Sequence, residues 1–263
     1  MKSDGPSSQD FDILRVEDGK STPVKDAVAR EIRLSVSLDG KEIAILSCSP
    51  GAEKYLALGF LRSEGLLEKP EDVHSVRKRG DRVSIRTRKG LSKRKRSSIG
   101  VLTSGCGGGV TFRREEDIEP IEDLGFDYTI VFSKPRILAH MREFLARSEI
   151  FRLTGGTHVA ALSDGSTVLF TFEDIGRHNA VDKILGRCFI EKIDTKDKVL
   201  LCSGRLSSEI VQKAFQGGIP VLVSRSAPTS LAIDRARRLG ITLVGFARAK
   251  RMNIYTYPAR VSS

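Results

Sequence analysis

From His158 to Tyr257 the chain repeats one pattern that leaves little freedom of architecture: a short apolar run, a polar connection, an amphipathic helical segment, then another apolar run. The apolar runs are Val159 to Leu162, Thr167 to Phe172, Val199 to Cys202, Pro220 to Ser224, Thr242 to Phe246, and one near Asn253 to Tyr257. Helical segments cover about Arg177 to Ile190, Ser207 to Phe215 and Thr229 to Leu239. Short apolar strands alternating with helices pair in parallel inside a layered α/β sheet. The first two runs, joined at Ser163-Asp164-Gly165-Ser166, form a hairpin instead. A further helix starts at Ser133-Lys134-Pro135 and runs to about Ala146.

In such sheets ligands gather at the carboxyl ends of the strands, beside helix N-termini. Four consecutive connections there carry arginine: Arg177 after Glu173-Asp174, Arg205 after Ser203-Gly204, Arg225 beside Ser224 and Ser226, and Arg248 with Arg251 in Phe246-Ala247-Arg248-Ala249-Lys250-Arg251. Ser207 and Thr229 are ordinary helix caps. The arginines are harder to place, because a cation at a helix N-terminus opposes the macrodipole. A ligand with phosphate groups fits them, since guanidinium binds phosphate bidentately. Glu173, Asp174 and Asp182 are available to pair with these arginines or to face a nucleobase edge. His158 and His178 read equally as ligand contacts or as satisfied helix-end histidines.

No GxxxxGK[ST] and no GxGxxG is present, so neither a P-loop nor a dinucleotide fingerprint applies. The zinc-deaminase pattern is also missing, because His158 and His178 are followed by Val159-Ala160 and Asn179-Ala180, and no metal site is expected.

The N-terminal half reads differently. Residues 1–25 are polar and rich in Ser, Asp and Gly, which predicts a disordered tail. Residues 26–127 form a smaller α+β domain in this reading, and 128–263 the α/β domain. Glu31 to Ser37 and Glu42 to Cys48 flank Asp39-Gly40, a hairpin signal. Ser49 reads as an N-cap with Pro50 at the first position of a helix from about Ala52 to Ser63. A second hairpin turns at Gly80-Asp81, and no regular structure is expected from Lys89 to about Asp127.

Two features stand out in this half. Eleven Lys/Arg against one acid lie between Arg77 and Arg96, in a chain whose whole net charge is +11. The block attracts polyanions or is a solvated basic loop. Nucleic-acid binding is the weaker reading, as no RNP-like aromatics accompany it. The other feature is Ser104-Gly105-Cys106-Gly107-Gly108-Gly109, which is either a thiol on a movable arm or a loop with an incidental cysteine. Cys48, Cys188 and Cys202 sit in apolar runs and read as buried, unreactive thiols. With no apolar run of 18 residues and a polar N-terminus, neither a membrane span nor a signal peptide is expected, and the default compartment is the cytoplasm.

Six ordered segments carry a resemblance: Cys48 to Leu67, Gly155 to Leu162, Glu173 to Gly186, Ser203 to Lys213, Ile219 to Ala232 and Leu239 to Tyr257. Together they resemble the formate dehydrogenase accessory sulfurtransferases, the FdhD family, from about residue 28 to the C-terminus. The resemblance implies a cytoplasmic, homodimeric sulfur carrier. It would take persulfide sulfur from a cysteine desulfurase and pass it to bis-molybdopterin guanine dinucleotide, carrying molybdenum or tungsten, for the formate dehydrogenase catalytic subunit. It also implies a cytidine-deaminase-like three-layer C-terminal domain without the deaminase metal. Cys106 matches the first cysteine of the family's C-G-x-C-G loop, whereas Gly109 stands at the second. Phe246 to Arg251 matches the cofactor-binding segment, with His158, Arg177, His178, Asp182, Ser203, Arg205 and Ser226 expected alongside it. Two other functions remain open: a non-catalytic cofactor-binding chaperone with Cys106 incidental, and a nucleic-acid binder working through Arg77 to Arg96.

Overall fold

A computed structural model describes residues 6–90, 102–104 and 130–262. Their architecture is mixed α/β, built on two principal sheets.

The expected N-terminal tail is corrected from residue 8 onward. Strands β1 (Ser8–Glu17) and β2 (Lys20–Ala29) pair antiparallel over their whole length, from Ser8 opposite Ala29 to Glu17 opposite Lys20. Asp18 and Gly19 turn the chain at φ 49° and 76°, the left-handed geometry a two-residue hairpin turn requires. Composition misled because most of this ribbon's side chains are exposed and none is buried, so it reads as polar as a tail.

The first principal sheet has the order β5-β6-β3-β4-β7. Its strands are β3 (Ile32–Leu38), β4 (Lys41–Cys48), β5 (Val73–Arg79), β6 (Arg82–Thr87) and β7 (Leu102–Ser104). Strand β7 falls inside the stretch expected to lack regular structure. Period-two alternation turns Leu34, Val36, Leu38, Leu46, Val83 and Ile85 toward helix α1 (Glu53–Ser63). Each such apolar side chain removed from water contributes about 1.5–3 kcal/mol.

The second sheet has the order β10-β9-β11-β12-β13-β14. The members are β9 (His158–Ser163), β10 (Val168–Asp174), β11 (Val199–Cys202), β12 (Val221–Ser224), β13 (Thr242–Arg248) and β14 (Arg251–Ile254). Only β11, β12 and β13 pair in parallel; β9, β10 and β14 run antiparallel to their neighbours. Three layers result. Helix α2 (Lys134–Ala146) covers one face through Ile137, Met141 and Phe144, packed on Val159, Leu201, Val223 and Val244. Helices α4 (Arg177–Ile190), α5 (Ser208–Gln216) and α6 (Ser230–Arg238) cover the other. The sequence did not announce α3 (Glu149–Thr154), nor β15 (Val261–Ser262), which pairs with β8 (Phe132–Ser133).

The two halves pack closely against each other through α1 and α4. Helix α1 crosses α4 so closely that a Cβ on Gly59 would lie 1.9 Å from the Asp182 carbonyl oxygen, and one on Gly186 would lie 1.8 Å from that of Tyr55. Phe189 of α4 completes the core under the first sheet. Below the crossing, Lys213 Nζ donates to Ser63 Oγ at 2.8 Å and to both carboxylate oxygens of Asp182 at 2.9 Å. Asp182 is therefore interior, 2% exposed, and not on the arginine-bearing rim where the sequence placed it. The reason is its helical phase: it lies among Ala180, Val181, Ile184 and Leu185, on the buried part of α4.

Candidate functional site

The connection from β10 into α4 is held by one carboxylate. Asp174 is fully buried and ion-paired with Lys183 at 2.7 Å. Its Oδ2 also accepts from the Ser49 amide at 3.1 Å, and its Oδ1 accepts from the Gly176 amide and Asn179 Nδ2, both at 2.9 Å. Ser49 Oγ accepts from the Ile175 amide at 3.0 Å, and Asn179 Nδ2 donates to the Ser47 carbonyl at 2.8 Å. Ser49 is thus not the cap expected for α1; the N-cap position is Ala52, in left-handed geometry with no side-chain cap. The hydroxyl instead fastens the end of β4 to the start of α4, where Arg177 and His178 stand. Lys183 had a legible signal: a lysine amid Ala180, Val181, Ile184 and Leu185 must find a buried partner. Ser49 and Asn179 had none for their joint role, because the bonds that tie β4 to α4 link residues more than 120 positions apart.

The remaining rim elements converge on this start. Because β9 runs antiparallel to β11, His158 at its beginning lies by the end of β11, where Ser203 Oγ accepts from the Val159 amide at 2.9 Å. A Cβ on Gly204 would stand 3.1 Å from both His158 Nδ1 and Arg177 Cβ, so these two side chains close tightly over the strand end and a larger residue there would have to push them back by a few tenths of an ångström. Burial, then the charge of Arg177 and the neighbouring His178, holds the His158 imidazole below its usual pKa, in the neutral form. His178 Nε2 lies 3.0 Å from Glu209 Oε2 and 3.4 Å from Ser207 Oγ. Ser224 Oγ donates to the Gly204 carbonyl at 2.6 Å and accepts from the Ser226 amide at 3.0 Å. Ser226 in turn accepts from the Phe246 amide through its carbonyl, at 3.0 Å.

That last contact leads into the Phe246 to Arg251 segment, which carries backbone strain. Phe246 and Ala249 both sit at φ 52° although neither is glycine. Side-chain-bearing residues held there cost about 1–3 kcal/mol each, and such outliers concentrate where a site is being shaped. Ala247 is buried, and Arg248 reaches over the Phe246 ring with its guanidinium carbon 5.8 Å from the centroid. Arg248 and Arg251 are paired directly opposite each other across β13 and β14. Like charges so placed repel unless an anion lies between them.

The acids expected to neutralise the rim are engaged elsewhere. Glu173 accepts from the Ile150 and Phe151 amides at 3.3 and 2.5 Å, fixing the start of α3, and from Thr157 Oγ1 at 3.1 Å. Asp174 and Asp182 hold the two buried lysines. Among the described residues no carboxylate lies within ion-pair distance of Arg177, Arg205, Arg225, Arg248, Lys250 or Arg251, and the last five are exposed. The same residues contain no cluster of His, Cys, Asp and Glu able to hold a metal.

Cys106 lies outside the described residues, as do Lys93 to Arg96 of the basic block. The strand leading to Cys106 is described: β7 pairs in parallel with β4, Ala44 opposite Leu102 and Leu46 opposite Ser104. Strand β7 therefore runs the same way as β4, whose end leads to Ser49, bonded to Asp174 and Ile175 at the start of α4. Cys106 follows two residues later, within about 7 Å of Ser104 along the chain.

Among the described residues the rim at these strand ends is cationic and unpaired with carboxylates, and guanidinium groups so placed have the chemistry to pair with phosphate. The family is established by comparison: the FdhD/NarQ family profile matches residues 29–262, and the chain belongs to that family. The Sulfur carrier protein FdhD of Wolinella succinogenes is 41% identical over 248 residues, covering 90% of this chain and 83% of the relative. That of Staphylococcus aureus strain MRSA252 is 38% identical over 252 residues, covering 95% and 94%. A crystal structure assigned as a formate dehydrogenase accessory protein from Desulfotalea psychrophila superposes with a TM-score of 0.79 at 26% identity, covering 98% of this chain and all of that one. No described helix is long and apolar enough to cross a membrane.

Proposed function

We propose that this chain is a cytoplasmic sulfur carrier that loads sulfur on Cys106 and delivers it to a phosphate-rich cofactor seated on the arginine rim. In this reading the donor is a cysteine desulfurase, and the acceptor is bis-molybdopterin guanine dinucleotide bearing molybdenum or tungsten, destined for formate dehydrogenase. Loading is a thiolate exchange: the Cys106 thiolate attacks the outer sulfur of the donor's Cys–S–SH, the donor S–S bond breaks, and the donor thiolate leaves. Atoms and electrons balance without an external oxidant. With Gly109 in place of a second loop cysteine, the sulfur stays on one residue.

The observation that carries the proposal is the parallel pairing of β7, the strand that precedes Cys106 in the sequence, with β4, whose end is bonded through Ser49 to Asp174 and Ile175 just before Arg177 and His178. Free arginines there match the two diphosphates of the proposed acceptor, and the cationic surroundings favour the thiolate form of an approaching cysteine. The names of the relatives point the same way.

Incubation with a cysteine desulfurase and cysteine should add one sulfur mass to Cys106. Equal uptake by a Cys106→Ala variant would refute the carrier role. Equal GDP binding by wild type and Arg251→Ala would refute the rim as the nucleotide seat.

A further inference from the structure

We infer that the open face of the first sheet is a docking surface for a carboxylate-rich face of the protein that hands sulfur to this chain, an inference that rests on the carrier reading. One face of the sheet is covered by α1; alternation turns the opposite face to solvent. On β5 and β6 the outward pairs are Arg79 with Arg82, Arg77 with Ser84, and Ser75 with Arg86. On β3 the outward residues are Arg33, Ser35 and Ser37, next to Arg82 and Ser84 of β6. Arg33, Arg77, Arg79, Arg82 and Arg86 are all exposed.

The charge on this face is one-sided. Glu42, which accepts from Ser35 Oγ at 2.6 Å, is the single carboxylate at these outward strand positions, and Asp81 in the exposed turn between Arg79 and Arg82 is the one acid beside the arginines there. Ser37 and Ser84 bond to each other at 3.0 Å, which occupies the short polar side chains between the arginines. None of the five arginines has an ion-pair partner among the described residues. Lys78, by contrast, points to the other face and pairs with Glu53 of α1 at 2.9 Å. Placing Arg79 directly opposite Arg82 is unfavourable in an isolated sheet, and an acidic partner removes that cost.

The chemistry favours a protein over a nucleic acid. The described outward residues include no Phe, Tyr or Trp, and base recognition on a sheet face relies on stacked aromatic rings. Spread over strands β5, β6 and β3, the guanidinium groups suit bidentate carboxylate pairing. Position also matters: the far edge of this sheet is β7, the strand that leads to Cys106. Five strands span about 20 Å, so a donor seated on the arginines is within one protein radius of that strand.

The test uses the full chain and two sulfur donors. Loading of Cys106 is followed by mass spectrometry from a cysteine desulfurase with cysteine, and separately from glutathione persulfide, which needs no docking surface. In an Arg77→Ser/Arg79→Ser/Arg82→Ser variant, the desulfurase concentration for half-maximal rate should rise about tenfold or more, while loading from glutathione persulfide keeps its wild-type rate. Should the variant lose its fold by circular dichroism, wild-type loading against ionic strength decides the matter. The desulfurase rate should then fall steeply between about 0.05 and 0.3 M salt, and the small-donor rate should not.

Equal half-maximal concentrations for variant and wild type, or no salt dependence, overturn the docking surface and leave the carrier reading standing. Wild type that loads from neither donor overturns both. Retention of RNA that the variant loses, with desulfurase loading unchanged, assigns the face to nucleic acid and also overturns the proposal.

Discussion

Replacing Gly186 by alanine tests whether α1 and α4 form one rigid unit. In most helix interiors this change stabilises, since alanine is favoured over glycine by about 1 kcal/mol. Here the added Cβ would lie 1.8 Å from the Tyr55 carbonyl oxygen and 2.7 Å from the Gly59 amide nitrogen. Ordinary contact needs about 3.5 Å, so the helices must separate by about 1.7 Å. The obstacle is backbone, which cannot rotate aside as a side chain can. Overpacking of this kind costs about 1–3 kcal/mol, and a rigid obstacle puts it at the upper end, near 3. The clash therefore outweighs the propensity gain, leaving a net loss of about 2 kcal/mol. With an m-value of about 2–3 kcal/mol/M, the urea midpoint should drop by about 0.7–1 M. Equilibrium unfolding followed by circular dichroism measures this directly. A midpoint at or above that of wild type would show that the crossing has slack, and the account of Gly59 and Gly186 would be wrong.

Three further outcomes follow from the buried groups. Lys213→Met strands Asp182 without a counter-ion at 2% exposure and should cost about 3–5 kcal/mol, whereas Asp182→Leu/Lys213→Met should cost less than that single change; a double-mutant cycle by denaturation tests it, and a neutral Lys213→Met refutes it. His158 is held below its usual pKa of 6.5, so as pH falls below 6.5 the unfolded chain takes up the proton first and stability declines, and returning above 6.5 restores it. A His158→Gln variant should flatten that limb of the stability profile, and an unchanged limb counts against the assignment. Burial pushes the thiols of Cys188 and Cys202 up to about 12 and that of Cys48 higher still, so brief alkylation of the native chain near neutral pH should add one label, lost in Cys106→Ser; labelling at a second cysteine would contradict the burial.

Period and punctuation were enough to read most elements. The segments Arg177 to Ile190 and Val199 to Cys202 were legible to the residue, because a helix and a buried strand impose different spacings on apolar side chains. The ribbon Ser8 to Ala29 was not, because an exposed strand pair has no buried face to write a period into the sequence. On the rim, the arginines announced themselves by standing at helix starts against the macrodipole. Asp182 was misplaced because sequence order put it near Arg177, while helical phase turned it toward α1 and α5.

By itself, then, the sequence determined the strand and helix series, the cationic connections, the three buried cysteines and the family resemblance, all of which rest on residue type and short-range spacing. Tertiary structure alone decided that β7 lies beside β4, that Ser49 fastens β4 to α4 through Asp174, and that two glycines let α1 and α4 meet. These are pairings between residues 58 to more than 120 positions apart. No local preference encodes such a pairing, because each partner alone is an unremarkable serine, glycine or strand residue, and only the folded chain brings the two together.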